Sequence, residues 1–219
     1  MFVADGGVVR DCEILDCYGY GHNNLNDGGS VYQTGGIVER CIIGDTVTEK
    51  RGGEAVRITG GTMRSCLVRG AVAGSEAQAL YVDGGTVENC TVVTNGYGTA
   101  LASSVAAVIA GGGVTNAVFF ANNGGDVTLS GGTIAFSRFA EAAGSDGNIS
   151  ADPVLVMTGG SSKPIYSLAN DSPCRNAGFR LPWSDDATDL AGNPRRVGRT
   201  VDMGCYENPL AIGLHLFVR

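Results

Sequence analysis

Charge is scarce in this chain: 17% of its 219 residues are Asp, Glu, Lys or Arg, against a usual quarter. Of fifteen basic residues only Lys50 and Lys163 are lysines, and no basic cluster occurs. With a net charge of −7 the chain lacks a counterion-releasing surface, which excludes nucleic acid as a partner. Aromatics reach only 7% and prolines number six. No run of apolar residues is long enough for a membrane-spanning helix, so no membrane insertion by this segment is expected. The opening Met1-Phe2-Val3-Ala4-Asp5 lacks the basic and apolar regions of a signal peptide. Stripes of period 3.6 are missing, which sets helical bundles and helical solenoids aside. Low charge combined with 43% hydrophobic residues is not the composition of a disordered chain.

Glycine is what the chain has in excess, 35 residues, more than twice the usual share of about 7%. Each would cost roughly 0.8–1 kcal/mol relative to Ala inside a helix, so a turn-rich all-β protein is indicated. The glycines do not recur every third residue, which excludes collagen. They fall in pairs beginning at Gly6, Gly35, Gly60, Gly84, Gly111 and Gly131. A short apolar stretch precedes each pair. One variable residue follows it, then an apolar one: Val9, Val38, Met63, Val87, Val114, Ile134. Three positions on stand Cys12, Cys41, Cys66, Cys90, Ala117 and Ser137, and two further on Ile14, Ile43, Val68, Val92, Phe119 and Phe139.

A unit this short cannot bury a core alone, but stacked units bury one continuous core. The pattern predicts an all-β, right-handed parallel β-helix solenoid of about six coils over 1–151, with an irregular C-terminal capping segment and tail over 152–219. Equivalent strands would pair about 4.8 Å apart, and each Gly pair would mark a corner between two faces. Alternation assigns Phe2/Ala4, Val31/Gln33, Val56/Ile58, Leu80/Val82, Ala107/Ile109 and Val127/Leu129 inward. Gln33 is the misfit and requires a buried polar partner or water. Tyr32, Arg57 and Tyr81 then share one outward column, an aromatic–guanidinium–aromatic strip flanked by Thr34, Thr59 and Asp83. Such a strip suits sugar rings; equally, it is how a solvated sheet face covers its backbone. The loop Tyr18–Gly29, holding His22, is the largest insertion in any coil, and function tends to sit on such loops.

Cys12, Cys41, Cys66 and Cys90 form a column whose slot Ala117 and Ser137 also fill, so the position selects small size rather than sulfur chemistry. These four are expected to be buried, reduced and free of metal; one Cys per coil does not converge four ligands on a point. No cofactor is indicated. Seven cysteines being odd, at least one stands outside any intrachain disulfide.

Beyond Asp152 the repeat yields to Asp152-Pro153-Val154-Leu155, Tyr166-Ser167-Leu168, Ser172-Pro173-Cys174-Arg175-Asn176-Ala177-Gly178, Asp189-Leu190-Ala191-Gly192-Asn193-Pro194-Arg195 and Val201-Asp202-Met203-Gly204-Cys205-Tyr206-Glu207. This succession resembles the end of secreted bacterial parallel β-helix proteins of the pectin-lyase-like superfold, in the style of polymorphic outer-membrane and choice-of-anchor surface proteins. The resemblance implies an extracellular or cell-surface location, with the export signal outside this segment. It implies too that the tail covers the open end of the helix, with Arg195 and Asp202 as structural residues. In an exported protein a disulfide between Cys174 and Cys205 would staple that cap.

The superfold also hosts enzymes that cleave acidic polysaccharides. A pectate lyase resemblance would require clustered outward acids, but the aligned strands offer only Asp5 and Asp83. A polygalacturonase resemblance would require Asn-Thr-Asp, Asp-Asp, Gly-His-Gly and Arg-Ile-Lys; this chain has Gly21-His22-Asn23, Arg57-Ile58-Thr59 and Asp185-Asp186, incomplete and in the wrong order. No catalytic residue is assigned. The expected function is a cell-surface module for adhesion, glycan contact or rigid display, its candidate ligand residues being Tyr32, Arg57, Tyr81, Asp83 and His22. The alternative is a polysaccharide lyase or glycoside hydrolase fragment acting on an acidic glycan. Since the repeat is entered in mid-pattern at Phe2, self-association through the open N-terminal coil is expected as well.

Overall fold

The computed structural model describes residues 1–19, 29–48, 54–73, 78–96, 105–157 and 164–209. His22 and most of its loop lie outside the described residues. The fold is an all-β parallel solenoid. One face stacks Phe2–Val3, Val31–Glu39, Val56–Arg64, Leu80–Glu88, Ala107–Thr115 and Val127–Leu129, every pair parallel. A second face stacks Glu13–Leu15, Ile42–Gly44, Leu67–Arg69, Thr91–Val93 and Val118–Phe120. A third stacks Tyr18–Gly19, Val47–Thr48 and Val72–Ala73. The first face thus carries six rungs, while three turns carry strands on all three faces.

Register turns each repeat position into a column. Val31, Val56, Leu80 and Ala107 stack in one line and Gln33, Ile58, Val82 and Ile109 in the next, all buried. Val38, Met63, Val87 and Val114 continue the core, and Ile43, Val68, Val92 and Phe119 close it from the second face. Gln33 satisfies its buried amide through main-chain carbonyls, Nε2 donating to Gly36 and Thr62 at 3.1 Å each, while Oε1 has no partner.

The first rung departs from the assigned register. Phe2 pairs with Tyr32 and Val3 with Gln33, so Val3 is buried while Phe2 is 64% exposed. The cause is one extra residue at this corner: four residues separate Val3 from Val8, where three separate Gln33 from Ile37. A slip of one residue exchanges the faces of a strand. Leu129 keeps the inward register but is half exposed, since the first face ends at its rung.

The Gly pairs bend one sheet rather than dividing two. Val31–Glu39 is a single strand whose register shifts between Gln33, Thr34 and Ile37. The second Gly takes positive φ in four coils: Gly36, Gly61, Gly85 and Gly112. A Cβ on Gly61 would lie 2.5 Å from both Gly35 C and Gly36 O of the preceding coil. The corners between the first and second faces fall elsewhere, on single left-handed residues: Asp11, Arg40, Ser65, Asn89, Asn116 and Phe136. The amides of the first five donate to a carbonyl of the following coil, at 3.2, 3.1, 3.0, 2.9 and 3.2 Å, which offsets the left-handed strain.

The C-terminal end of the stack is closed by residues 137–151. Arg138 bridges both Val118 and Ile149, and Glu141 accepts the amides of Asp126 and Val127 at 3.0 and 3.2 Å. The described residues of the tail lie along the outer side of the second face: Leu67, Val93, Ile42 and Phe120 pack against Cys205, Tyr206, Leu155 and Leu190, and Val118 packs with Leu168, Cys174 and Met203. Outward apolar residues on that face required a cover.

Gly61→Ala is expected to destabilise the fold by about 1–3 kcal/mol or more, adding a clash to the strain of positive φ. Gly192→Ala has equally positive φ but open space around its Cβ, and should lose less. Urea unfolding of both variants checks the order; equal losses would contradict the close stacking.

Candidate functional site

Of the five candidate ligand residues, the structure brings four together. Tyr32, Arg57 and Tyr81 are in register on successive rungs, with Phe2 beyond Tyr32. The Arg57 guanidinium carbon sits 4.6 Å from the Tyr81 ring centroid, and the Phe2 and Tyr32 rings are 5.6 Å apart, tilted by 53°. Arg57 is only 7% exposed despite its outward position. Its Nη2 lies 3.6 Å from Asp83 Oδ2 and its Nη1 3.8 Å from Glu54 Oε2. Glu54 is 4% exposed, and burial pushes its carboxyl above the usual range, opposed by its own backbone amide and then by Arg57. Glu54 was not legible as a site residue because it precedes the strand and stands outside the aligned repeat. His22, the fifth candidate, lies outside the described residues.

A second outward column was also missed. Arg10, Glu39, Arg64 and Glu88 stack in register and alternate in sign. Arg64 Nε donates to Glu39 at 2.8 Å, while Arg10 and Arg40 lie 3.8 and 3.5 Å from the same carboxylate. Trp183, in the short 3-10 turn Pro182–Asp185, donates its indole N–H to Glu88 at 2.6 Å and stacks on Arg64 at 4.8 Å. Burial raises the Glu88 carboxyl, the Trp183 hydrogen bond opposing it. The signal was in the sequence, one fixed position after each Gly pair. Its role is structural: it clamps the tail to the solenoid.

The tail motif residues form a buried network. Arg195 donates to the Asp202 carbonyl at 2.6 Å and lies 3.5 Å from Glu207, both side chains enclosed. The Asp202 carboxylate accepts the amides of Asn176 and Asn208 at 2.7 Å each. Burial pushes Glu207 up to about 8 against the pull of Arg195. These contacts tie one loop of the tail to another, which is a folding role.

The cysteines correct two expectations. Cys41, Cys66 and Cys90 are buried in a stacked column, the Cys41 amide donating to Cys66 Sγ at 3.4 Å. Cys12 is exposed, because it belongs to the first rung and has no coil above it among the described residues. Cys174 and Cys205 are free thiols and form no staple. They sit in different apolar clusters, Cys174 with Leu168 and Met203, Cys205 with Leu67 and Val93, and burial pushes each up to about 12. Among the described residues no group of three or more His, Cys, Asp or Glu is placed to hold a metal ion, and no helix is long and apolar enough to cross a membrane.

No family model matches the chain, and no curated protein matches it. Among solved structures, the crystal structure of pectate lyase Pel9A aligns with a TM-score of 0.37 and 12% identity, over 94% of this chain and 69% of that one.

Without reductant, a thiol reagent should label Cys12 rapidly and Cys17 more slowly in the native protein, and all seven cysteines after denaturation. Loss of two thiols from the denatured total, with a Cys174–Cys205 peptide pair by mass spectrometry, would contradict the free state.

Proposed function

We propose that the chain is a cell-surface module of an exported protein, contacting glycan through the Tyr32–Arg57–Tyr81–Asp83 strip and displaying it on a rigid solenoid, without a catalytic centre of its own. The observation that carries this reading is the in-register column itself. An aromatic ring stacked on a guanidinium, with a half-exposed carboxylate beside it, offers a flat apolar surface and hydrogen-bonding groups together. A polysaccharide lyase or hydrolase is the second reading, favoured by Glu54 and Asp83 flanking Arg57; a buried carboxyl held above its usual range is what a general acid requires.

A second copy of the chain is proposed as a further partner. Among the described residues nothing pairs with the outer edges of Phe2–Val3, Val8–Arg10 and Glu13–Leu15, and Phe2 and Val8 are exposed beside them. An open edge with apolar side chains is a template for strand addition.

Affinity electrophoresis through a polysaccharide panel should retard the protein in at least one matrix, with Tyr81→Ala restoring its mobility. Reducing-sugar and unsaturated-product assays should stay at background, and turnover abolished by Glu54→Gln would favour the enzyme instead. In light scattering, mass should rise with concentration and revert to monomer in Phe2→Lys/Val8→Lys. A monomer at high concentration without those changes would refute the second-copy proposal.

A further inference from the structure

The Arg57 guanidinium lies between two carboxylates and closes on neither. Its separations of 3.8 Å from Glu54 and 3.6 Å from Asp83 exceed the roughly 2.7–2.9 Å of a charge-assisted hydrogen bond. By contrast, Arg64 reaches Glu39 at 2.7 Å, Arg40 reaches Asp11 at 2.7 Å and Arg138 reaches Asp126 at 2.9 Å. Arg10 lies as far from Glu39, at 3.8 Å, but Arg64 closes that carboxylate at 2.7 Å. Two polar atoms there are buried without any hydrogen-bond partner: Nε of Arg57, a donor, and Oε2 of Glu54, an acceptor. Both residues are more than nine-tenths buried, so solvent contact does not satisfy those atoms either.

An orphan donor and an orphan acceptor on these two side chains are complemented by a group that accepts and donates at once. A hydroxyl does this, accepting from the guanidinium and donating to a carboxylate. A carboxylate ligand cannot, since it only accepts. It would also meet two acidic side chains for one basic one, on a chain already at net charge −7. The single arginine of the strip already faces two acids, and its presence does not make the face a receptor for further ones.

We infer that the Arg57 site takes neutral, hydroxyl-rich sugar rings and discriminates against uronates. The Tyr81 ring supplies the stacking surface, and the Arg57, Glu54 and Asp83 groups read ring hydroxyls. This inference rests on the glycan reading of the strip and names the class of glycan.

The test uses matched oligosaccharides that differ only in oxidation at C6: gluco-, galacto- and manno-oligomers, each beside its uronate. They are titrated calorimetrically into the whole chain at low salt. At least one neutral oligomer should bind about fivefold or more tightly than its uronate. Asp83→Asn, a change at a side chain 49% exposed, should narrow that gap by admitting the uronate, while Tyr81→Ala weakens both. Unchanged thermal transitions verify that these variants fold. A uronate that binds more tightly than its neutral partner, with binding lost in Tyr81→Ala, overturns the neutral preference and leaves the strip standing. No binding by any pair overturns the strip reading and this inference together.

Discussion

Everything in this molecule depends on the main-chain hydrogen bonds between successive coils. They hold equivalent residues about 4.8 Å apart along the stack, so a side chain is packed chiefly by its counterparts one repeat before and after. An inward column is then apolar or small, as the Val31–Val56–Leu80–Ala107 line is, unless a polar member finds main-chain partners, as Gln33 does in the next line. Close stacking also makes glycine necessary at the bend, where a Cβ on Gly61 or Gly85 would enter the carbonyl of the preceding coil. The cysteine slot obeys the same rule: sulfur, methyl and hydroxyl all fit behind a left-handed corner residue, and none is selected for its reactivity.

The same stacking gives the outer surface its chemistry. Residues that share an outward column are forced together whatever their charge, so a charged column alternates in sign and a column of flat groups stacks. Arg10–Glu39–Arg64–Glu88 takes the first solution and uses its last acid to hold Trp183. Tyr32–Arg57–Tyr81 takes the second. The two columns differ in what they leave unsatisfied. The charged one closes Arg64 onto Glu39 at hydrogen-bonding distance, whereas Arg57 Nε and Glu54 Oε2 have no hydrogen-bond partner. The proposed glycan contact rests on that difference.

Legibility followed from the repeat. Position-by-position offsets placed the core columns and the Tyr32–Arg57–Tyr81 strip because a solenoid makes spatial order equal to sequence order. Features outside that equality were hidden. The extra residue in the first coil left the spacing of its Gly pair intact and moved Phe2 outward unseen. The left-handed corners sit on Asp, Arg, Ser, Asn and Phe rather than Gly, so composition did not mark them. The tail has no repeat, and its place along the second face is fixed by contacts across a hundred residues, such as the Cys205 amide donating to Thr91 Oγ1 at 2.9 Å. An isolated motif such as Ser172-Pro173-Cys174 carries no record of which surface it covers.

The register of the stack can be read directly by cross-linking. Thr62 and Thr86 are paired on neighbouring coils, their hydroxyls 3.0 Å apart on the outer surface. Under mild oxidation, Thr62→Cys/Thr86→Cys should form an intrachain disulfide in nearly all molecules, assigned by mass spectrometry of the digest, whereas Thr62→Cys/Val87→Cys should not, because Val87 faces the core beside Met63. Failure of the first pair to close, or equal closure of the second, would contradict the in-register solenoid on which the strip, the clamp and the core all rest.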